Sequence, residues 1–388
     1  MAGYLFGLDS IESLEECIEL GIYSTRISSP TSEVWKAHQE GTFADYSSMQ
    51  AGDNVYFFIK RKIYGIGKLI NISNDCKFLN YPDADAPLDK QYAQIQSTLL
   101  YDYGEESVNF RFICVFEPSP MFFRNGIDMD DVLASSPTRF KILRTFWKLS
   151  FIKFSDEENQ AFKDIILQRN YKFILNPLPE SVYDSNYLQT HENLNEKLAL
   201  GNYSLKISPF LDTISDGKYI RHEMAIEAAL IFQISRLHDE TIAVFGRWDF
   251  ISHQVVASPF KPVDYMDKMD IFGYSYIEDQ RPTIAKYLVI ELKKANAFEQ
   301  DLLQLMKYID WVKEEYSLGD YTRIEGFLVA FDFEHECINN LKKNVERNFI
   351  YGVRPSIPDT WRNVKLVKYS YNEHTELLDF EIIADANE

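Results

Sequence analysis

The stretch Tyr287–Trp311, YLVIELKKANAFEQDLLQLMKYIDW, decides how the second half of this chain folds. Tyr287 to Leu292 is a near-continuous apolar run rich in strand formers. That pattern predicts a strand covered on both faces. Glu291 and Lys293 then stand where burial should continue, two apart and so on one face of the strand. Two readings stand side by side: a divalent-metal site with a lysine beside it, and a salt bridge at a strand end. Beyond them, Phe298, Leu302, Leu305, Ile309, Val312 and Tyr316 recur at alternating spacings of four and three. This is one apolar stripe of an amphipathic helix. Gln304 and Tyr308, four apart, share a second face of it.

Working outward, three aspartates precede the stretch: Asp264, Asp267 and Asp270. Asp270 comes directly before Ile271-Phe272-Gly273-Tyr274, a strand pattern. The 20 residues between Asp270 and Glu291 leave room for a hairpin turning through Glu278–Pro282. Further back, ISDGKYIRHEMAIEAALIFQISR predicts a helix with Glu223 and Glu227 one turn apart on one face. Downstream, Gly319 stops the chain, and GFLVAFDF, Gly326 to Phe333, is another buried strand. The tail beyond adds edge strands without evident chemistry.

The order of strand, Glu-x-Lys and helix with Gln-x-x-x-Tyr resembles the core of the PD-(D/E)xK nuclease superfamily, in its RecB-like branch. The resemblance implies a restriction-endonuclease-like αβββαβ core over residues 216–388. It makes Asp270, Glu291 and Lys293 catalytic. It places Mg2+ (or Mn2+) on Asp270, Glu291 and the main-chain carbonyl of Leu292, hard oxygen ligands of the kind these ions take. Glu227 matches the carboxylate of the first helix that faces such a site; a solvated helix glutamate is the alternative. Gln304 and Tyr308 would position the site or the DNA strand.

The first half reads as one domain, residues 1–170. Ser10 caps a helix from Ile11 to Leu20 that Gly21 ends. AGDNVYFFIKRKIYGIGKLINI, Ala51 to Ile72, is a strand, a basic hairpin at Lys60-Arg61-Lys62 and a return strand. Gly65 and Gly67 inside that strand suggest a bulge or a close backbone approach. They are not a phosphate loop, because no Gly-x-x-x-x-Gly-Lys-Ser/Thr occurs. With FRFICVFEPSP and FWKLSFIKFSDEENQAFKDIIL, this hairpin is similar to the EVE branch of PUA-like domains, relatives of the YTH readers. Such a PUA-like β-barrel with helices takes a flipped, often modified base between aromatic rings, with hydrogen bonds to its edge. The resemblance points to Trp35 and Tyr46 as the stacking rings, in a loop-like stretch where Thr42 and Asp45 can bond a base edge. Most other rings here (Tyr23, Phe43, Phe57, Tyr64, Phe122, Phe123, Trp147) read as core. Lys60, Arg61 and Lys62 are the DNA-phosphate candidates, or a solvated turn. Residues 171–215, with Pro177, Pro179 and little periodicity, read as a connector.

Composition sets the outer limits. The 388 residues are enough for two domains, and 46% hydrophobic with 26% charged is the balance of a soluble globular protein; the two resemblances imply a fold that is part α/β and part α+β. No apolar run is long enough to span a membrane, and the start lacks a basic-then-apolar leader. Four scattered cysteines argue for a reducing cytoplasm rather than a disulfide framework. Seven scattered histidines without His-Glu-x-x-His argue against a zinc enzyme, and no serine or cysteine nucleophile motif is present. A net charge of −19 predicts weak binding to bulk DNA, so any DNA contact must be local and specific.

Joined, the halves resemble a modification-sensing restriction enzyme of bacterial anti-phage defence, which implies a Mg2+-dependent DNA endonuclease. The resemblance implies DNA, with or without modified bases, as the partner, and a homodimer would match the two strands of a duplex. The rivals are a nucleic-acid-binding protein whose nuclease fold no longer cuts, and a nuclease of RNA or single strands.

Overall fold

The computed structural model describes all residues except 27–34, 87–89, 119–125, 141–150, 177–185, 259–266 and 353. The chain forms two compact units, Met1–Pro209 and Phe210–Glu388. Both mix sheet and helix.

The first unit is built on eight strands: β1 (Gly3–Gly7), β2 (Ile22–Arg26), β3 (Asn54–Ile59), β4 (Lys62–Leu69), β5 (Lys77–Leu79), β6 (Phe110–Pro118), β7 (Ile127–Asp128) and β8 (Phe151–Phe154). Their order is β2-β6-β4-β3-β1-β8, with β5 on β6 and β7 on β4. The sheet rolls up around its own rings. Phe6 of β1 stacks on Tyr23 of β2 at 4.3 Å, and Tyr23 meets Phe151 of β8, on the opposite edge, at 5.9 Å.

The basic hairpin is a two-residue turn in which Lys60 (φ 45°) and Arg61 (φ 70°) are both left-handed, the backbone that fits the right-handed strand twist. The expected bulge is present, and the close neighbour of Gly65 is a side chain rather than a backbone. Val55 pairs with Gly67 but Tyr56 with Gly65, so Ile66 is an extra residue in β4. A Cβ on Gly65 would stand 2.7 Å from the Tyr56 ring. Helix α1 (Ile11–Leu20) is capped by Ser10, which accepts from the Ser13 amide at 3.2 Å, and ends at left-handed Gly21.

Two expectations need correction. Residues 35–48 are not a loop: α2 spans Ala37–Ser47. The stretch 171–209, read as most of a connector, belongs to the first unit. Within it, α4 (Tyr187–Leu198) follows the sheet-covering helix α3 (Asp156–Arg169). It buries Leu194, and its His191 hydrogen-bonds the Gly21 carbonyl at 3.0 Å. The connector reading leaves room for one short helix, and α4 is held by what it packs on rather than by its own periodicity.

The second unit opens with a small strand pair, β9 (Ser215–Asp216) and β10 (Tyr219–Ile220), followed by α5 (Glu223–Ser235). Three antiparallel strands come next: β11 (Phe250–Val256), β12 (Lys268–Tyr276) and β13 (Ile284–Ala297). Helix α6 (Glu299–Glu315) leads into β14 (Ile324–Phe333), which runs parallel to β13. A hairpin, β15 (Arg347–Tyr351) with β16 (Ile357–Trp361), precedes β17 (Val364–Asn372) and β18 (Leu377–Asp385). The main sheet runs β11-β12-β13-β14-β17-β18. A second helix, Asp239–Phe245, lies between α5 and β11, so through β14 the order is two helices, three strands, α6 and β14.

Tyr287–Trp311 folds as its periodicity dictates, with two differences. β13 extends past Leu292 through polar, exposed residues to Ala297. Phe298 caps α6 and is half exposed, so the stripe that packs is Leu302, Leu305, Ile309 and Val312. Helix α5 is buried from Ala225 to Ile234 on every side, which is why it shows no amphipathic stripe. No helix among the described residues is long and apolar enough to cross a membrane.

Candidate active site

The sheet brings the acidic residues of the second unit together. Ile271 of β12 pairs with Ile290 of β13, a register that sets Asp270 beside Glu291. Directly opposed residues in such a ladder lie about 5 Å apart at Cβ. The Leu292 amide donates to Asp270 Oδ2 at 2.7 Å and so fixes the carboxylate against the neighbouring strand. Lys293, two residues past Glu291, forms an ion pair with Glu291 Oε1. Glu227 arrives from α5, fully enclosed, and is held by two residues of β11. Gln254 Nε2 donates to its Oε1 at 2.8 Å, and His253 Nδ1 lies 3.3 Å from its Oε2. Glu223, one turn earlier, accepts from the Lys294 amide at 3.1 Å. From α6, Gln304 donates to the Tyr308 hydroxyl at 2.9 Å.

The electrostatics show an unbalanced site. Burial pushes the Asp270 carboxyl well above the usual range, and the charges of Glu227 and Glu291 push it further. Burial likewise raises Glu291, to about 7, against the opposing pull of Lys293. A hydrogen bond between Asp270 and Glu291 also opposes that rise, but it exists only while one of them carries a proton. As two carboxylates they have no donor to share, and Glu291 Oε2 is then enclosed without a hydrogen-bond partner among the described residues. Glu227 is raised by burial, against its bonds from His253 and Gln254. Burial alone would lower Lys293, but Glu291 and then Asp270 outweigh it and hold the ammonium protonated. Burial, reinforced by Glu291 and Asp270, pushes the Tyr308 hydroxyl up to about 12, against the hydrogen bond from Gln304.

A buried anion without a partner is expensive and invites a proton or a cation. The donor set fits a hard divalent cation. Asp270 and Glu291 would supply carboxylate oxygens and Leu292 its main-chain carbonyl, with Glu227 behind them. Among the described residues no three acidic, histidine or cysteine side chains converge on one point. A bound ion would therefore keep several waters, as Mg2+ commonly does.

Asp270, Glu291, Lys293, Glu227, Gln304 and Tyr308 thus all lie in one unit, on α5, β12, β13 and α6. Asp264 lies outside the described residues, and Asp267 sits just before β12. His253 and Gln254 were not expected. The only local signal was a run of three polar residues, Ser252-His253-Gln254, inside an otherwise apolar strand.

The first-unit candidates fare differently. Trp35 is 1% exposed, with the buried Arg111 guanidinium 5.2 Å from its ring centre. Tyr46 is fully buried on α2, and its hydroxyl donates to the carbonyls of Ile113 and Phe78. Asp45 is buried and the Thr42 hydroxyl donates to the His38 carbonyl one turn back. Trp35, Asp45 and Tyr46 are thus buried inside the first unit. Lys60, Arg61 and Lys62 are exposed, but Arg61 is tied to Asp130 at 2.5 Å. Phe122, Phe123 and Trp147 lie outside the described residues.

No family model and no curated protein matches the sequence. Among solved structures, the chain is similar to a repair endonuclease from Pyrococcus abyssi at 24% identity and a TM-score of 0.21, over 33% of this chain and 45% of that one. It is also similar to EndoMS in complex with double-stranded DNA at 22% identity and a TM-score of 0.18, over 25% and 34% of the two chains. A protein of Agrobacterium tumefaciens matches at 16% identity and a TM-score of 0.25, over 43% of this chain and 93% of that one. The chain thus spans less than half the length of either nuclease.

Proposed function

We propose that this protein is a divalent-cation-dependent DNA endonuclease whose active site is Asp270, Glu291 and Lys293. The observation that carries the reading is the opposed pair Asp270–Glu291. Two carboxylates are held face to face in a buried ladder, and when both are ionised one of them, Glu291, has an enclosed oxygen without a donor among the described residues. Their repulsion is a standing cost unless something positive binds there.

A bound Mg2+ would supply Lewis acidity toward a phosphate and an activated water. The chain's own groups would do the rest. Lys293, kept protonated by Glu291, offers positive charge to the phosphate oxygens as negative charge builds on them; it does not act as the base. Glu227 orients groups on the inner side of Asp270. Tyr308, a protonated hydroxyl tied to Gln304, stands as a hydrogen-bond donor beside the carboxylates. Exposed Lys60 and Lys62 are proposed phosphate contacts of the first unit. The finer role is that of a modification-sensing restriction enzyme of phage defence, with the first unit selecting the DNA.

The test is Mg2+-dependent cleavage of phage genomes and matched plasmids, with and without base modification, by the wild type, Lys293→Ala and Asp270→Ala. Cleavage lost in both variants supports the site. Cleavage confined to modified DNA supports the defence role. Cleavage that survives both substitutions removes the assignment.

A further inference from the structure

Gln254 has a left-handed backbone (φ 53°) in the middle of a strand. L side chains seldom adopt it, and glycine would do so without strain. Strained residues of this kind persist where the surroundings demand a particular side chain. On either side of it, His253 pairs with Ile271 and Val255 with Met269, so Gln254 stands across the ladder from Asp270. Its Nε2 donates to Glu227 Oε1 at 2.8 Å and, at a longer 3.4 Å, to Asp270 Oδ1. Both acceptors are carboxylate oxygens, so the amide nitrogen must face them. Asp270 is then held at both oxygens, by Gln254 at Oδ1 and by the Leu292 amide at Oδ2.

We propose that Gln254 is a positioning residue of the candidate site: its amide spans Glu227 and Asp270 and sets the face that Asp270 presents to a divalent cation. This rests on the reading of the site given above. The chemistry explains why the position is a glutamine. A lysine or arginine would neutralise the carboxylates and compete with a cation. A third carboxylate would add repulsion. A primary amide has two hydrogens and no charge, so it satisfies one oxygen on each acid and leaves both charges available. The reach to two acids from one backbone position holds the strand in its unfavourable conformation.

The test compares wild type, Gln254→Gly and Gln254→Asn by Mg2+ titration calorimetry, thermal melting with and without Mg2+, and DNA cleavage. Glycine relieves the backbone but deletes the amide. Asparagine tolerates the backbone but is one methylene short. The expected result is that Gln254→Gly melts no lower than wild type without Mg2+. It should also bind Mg2+ 10- to 100-fold more weakly, the usual effect of removing a group that orients a ligand, and lose cleavage in proportion. Gln254→Asn falls between. Gln254→Gly with wild-type Mg2+ affinity and wild-type cleavage overturns the inference alone and leaves Gln254 a backbone feature. A wild-type protein that binds no Mg2+ overturns both this inference and the reading it rests on.

Discussion

The chain carries two acid-x-lysine pairs at buried strand ends, and they differ in what surrounds them. In the first unit, Asp75-Cys76-Lys77 leads into β5. Lys77 donates to Asp75 Oδ1 at 3.0 Å and to the Met49 carbonyl at 2.7 Å, and the Cys76 amide donates to the same Asp75 oxygen at 2.8 Å. In the second unit, Glu291-Leu292-Lys293 makes the same internal ion pair. There, however, a second carboxylate stands opposite, a third lies behind it, and Glu291 Oε2 lacks a donor. The first lysine ties an acid to the main chain and closes a local account of charge. The second leaves the site negative. Spacing alone therefore does not separate a structural pair from a functional one; the residue across the ladder does.

The comparison breaks most easily by removing each lysine in turn. Lys293→Ala should lower Mg2+-dependent cleavage by roughly 10³-fold, the scale of losing one group that stabilises transition-state charge. Its melting temperature should fall as well, because Glu291, at 1% exposure, loses its ion-pair partner, so the rate is read per folded molecule. Lys77→Ala should cost stability alone. It takes the ammonium from the Met49 carbonyl and from Asp75, which keeps the Cys76 amide, in a buried setting, and this should destabilise the fold by about 2 kcal/mol without altering the cleavage rate per folded molecule. Denaturant melts and initial rates on the two variants check both halves. Cleavage lost in Lys77→Ala at full folding would make the pairs equivalent and remove the distinction.

The two regions were also unequally legible. In Tyr287–Trp311 the apolar run and the four-three spacing agree with the tertiary environment, so strand and helix could be read directly. Asp270 was legible because it heads an apolar strand at hairpin distance from Glu291. His253 and Gln254 were not, since their place depends on strand register and on a left-handed backbone at Gln254, neither of which leaves a local trace. The loop reading of Tyr46 failed for the opposite reason. Gly41, Thr42, Ser47 and Ser48 give their neighbourhood a loop-like composition. Burial of Phe43 and Tyr46, three apart on α2, overrides that composition.

A second way to sharpen the comparison uses acidity. The Glu291 carboxyl rises from an ordinary 4.5 to about 7 in the folded protein. The folded state therefore holds its proton more tightly than the unfolded chain. That stability is present below pH 4.5 and is lost as pH rises through about 7. The metal-free protein should thus weaken across this window, and Glu291→Gln should reduce the dependence to the share of Asp270 and Glu227, which burial also raises. At pH 8 the variant should be about 1–2 kcal/mol more stable than wild type without Mg2+ and gain nothing from adding it. Melting curves at several pH values, with and without Mg2+, decide this. A flat wild-type profile would mean that the pair is already neutralised by some other group.

The smallest effect lies in the basic hairpin, the first unit's counterpart to Gln254. Lys60 and Arg61 also adopt left-handed backbones, but at an exposed turn where the geometry serves the hairpin rather than a site. Arg61 is paired with Asp130, in a setting where ion pairs contribute little. Arg61→Gly should therefore raise stability slightly, by about 0.5 kcal/mol, as strain relief outweighs the lost pair and the added chain entropy. Cleavage should be unchanged, in contrast to Gln254→Gly, where the same relief of strain removes activity. Lys60→Ala with Lys62→Ala asks the separate question of DNA contact. If each lysine meets a phosphate, the slope of log affinity against log salt should shrink by about 1 per residue. A slope unchanged in the double variant, measured by anisotropy from low to moderate salt, would leave the hairpin a solvated turn and place the DNA-selecting surface of the first unit elsewhere.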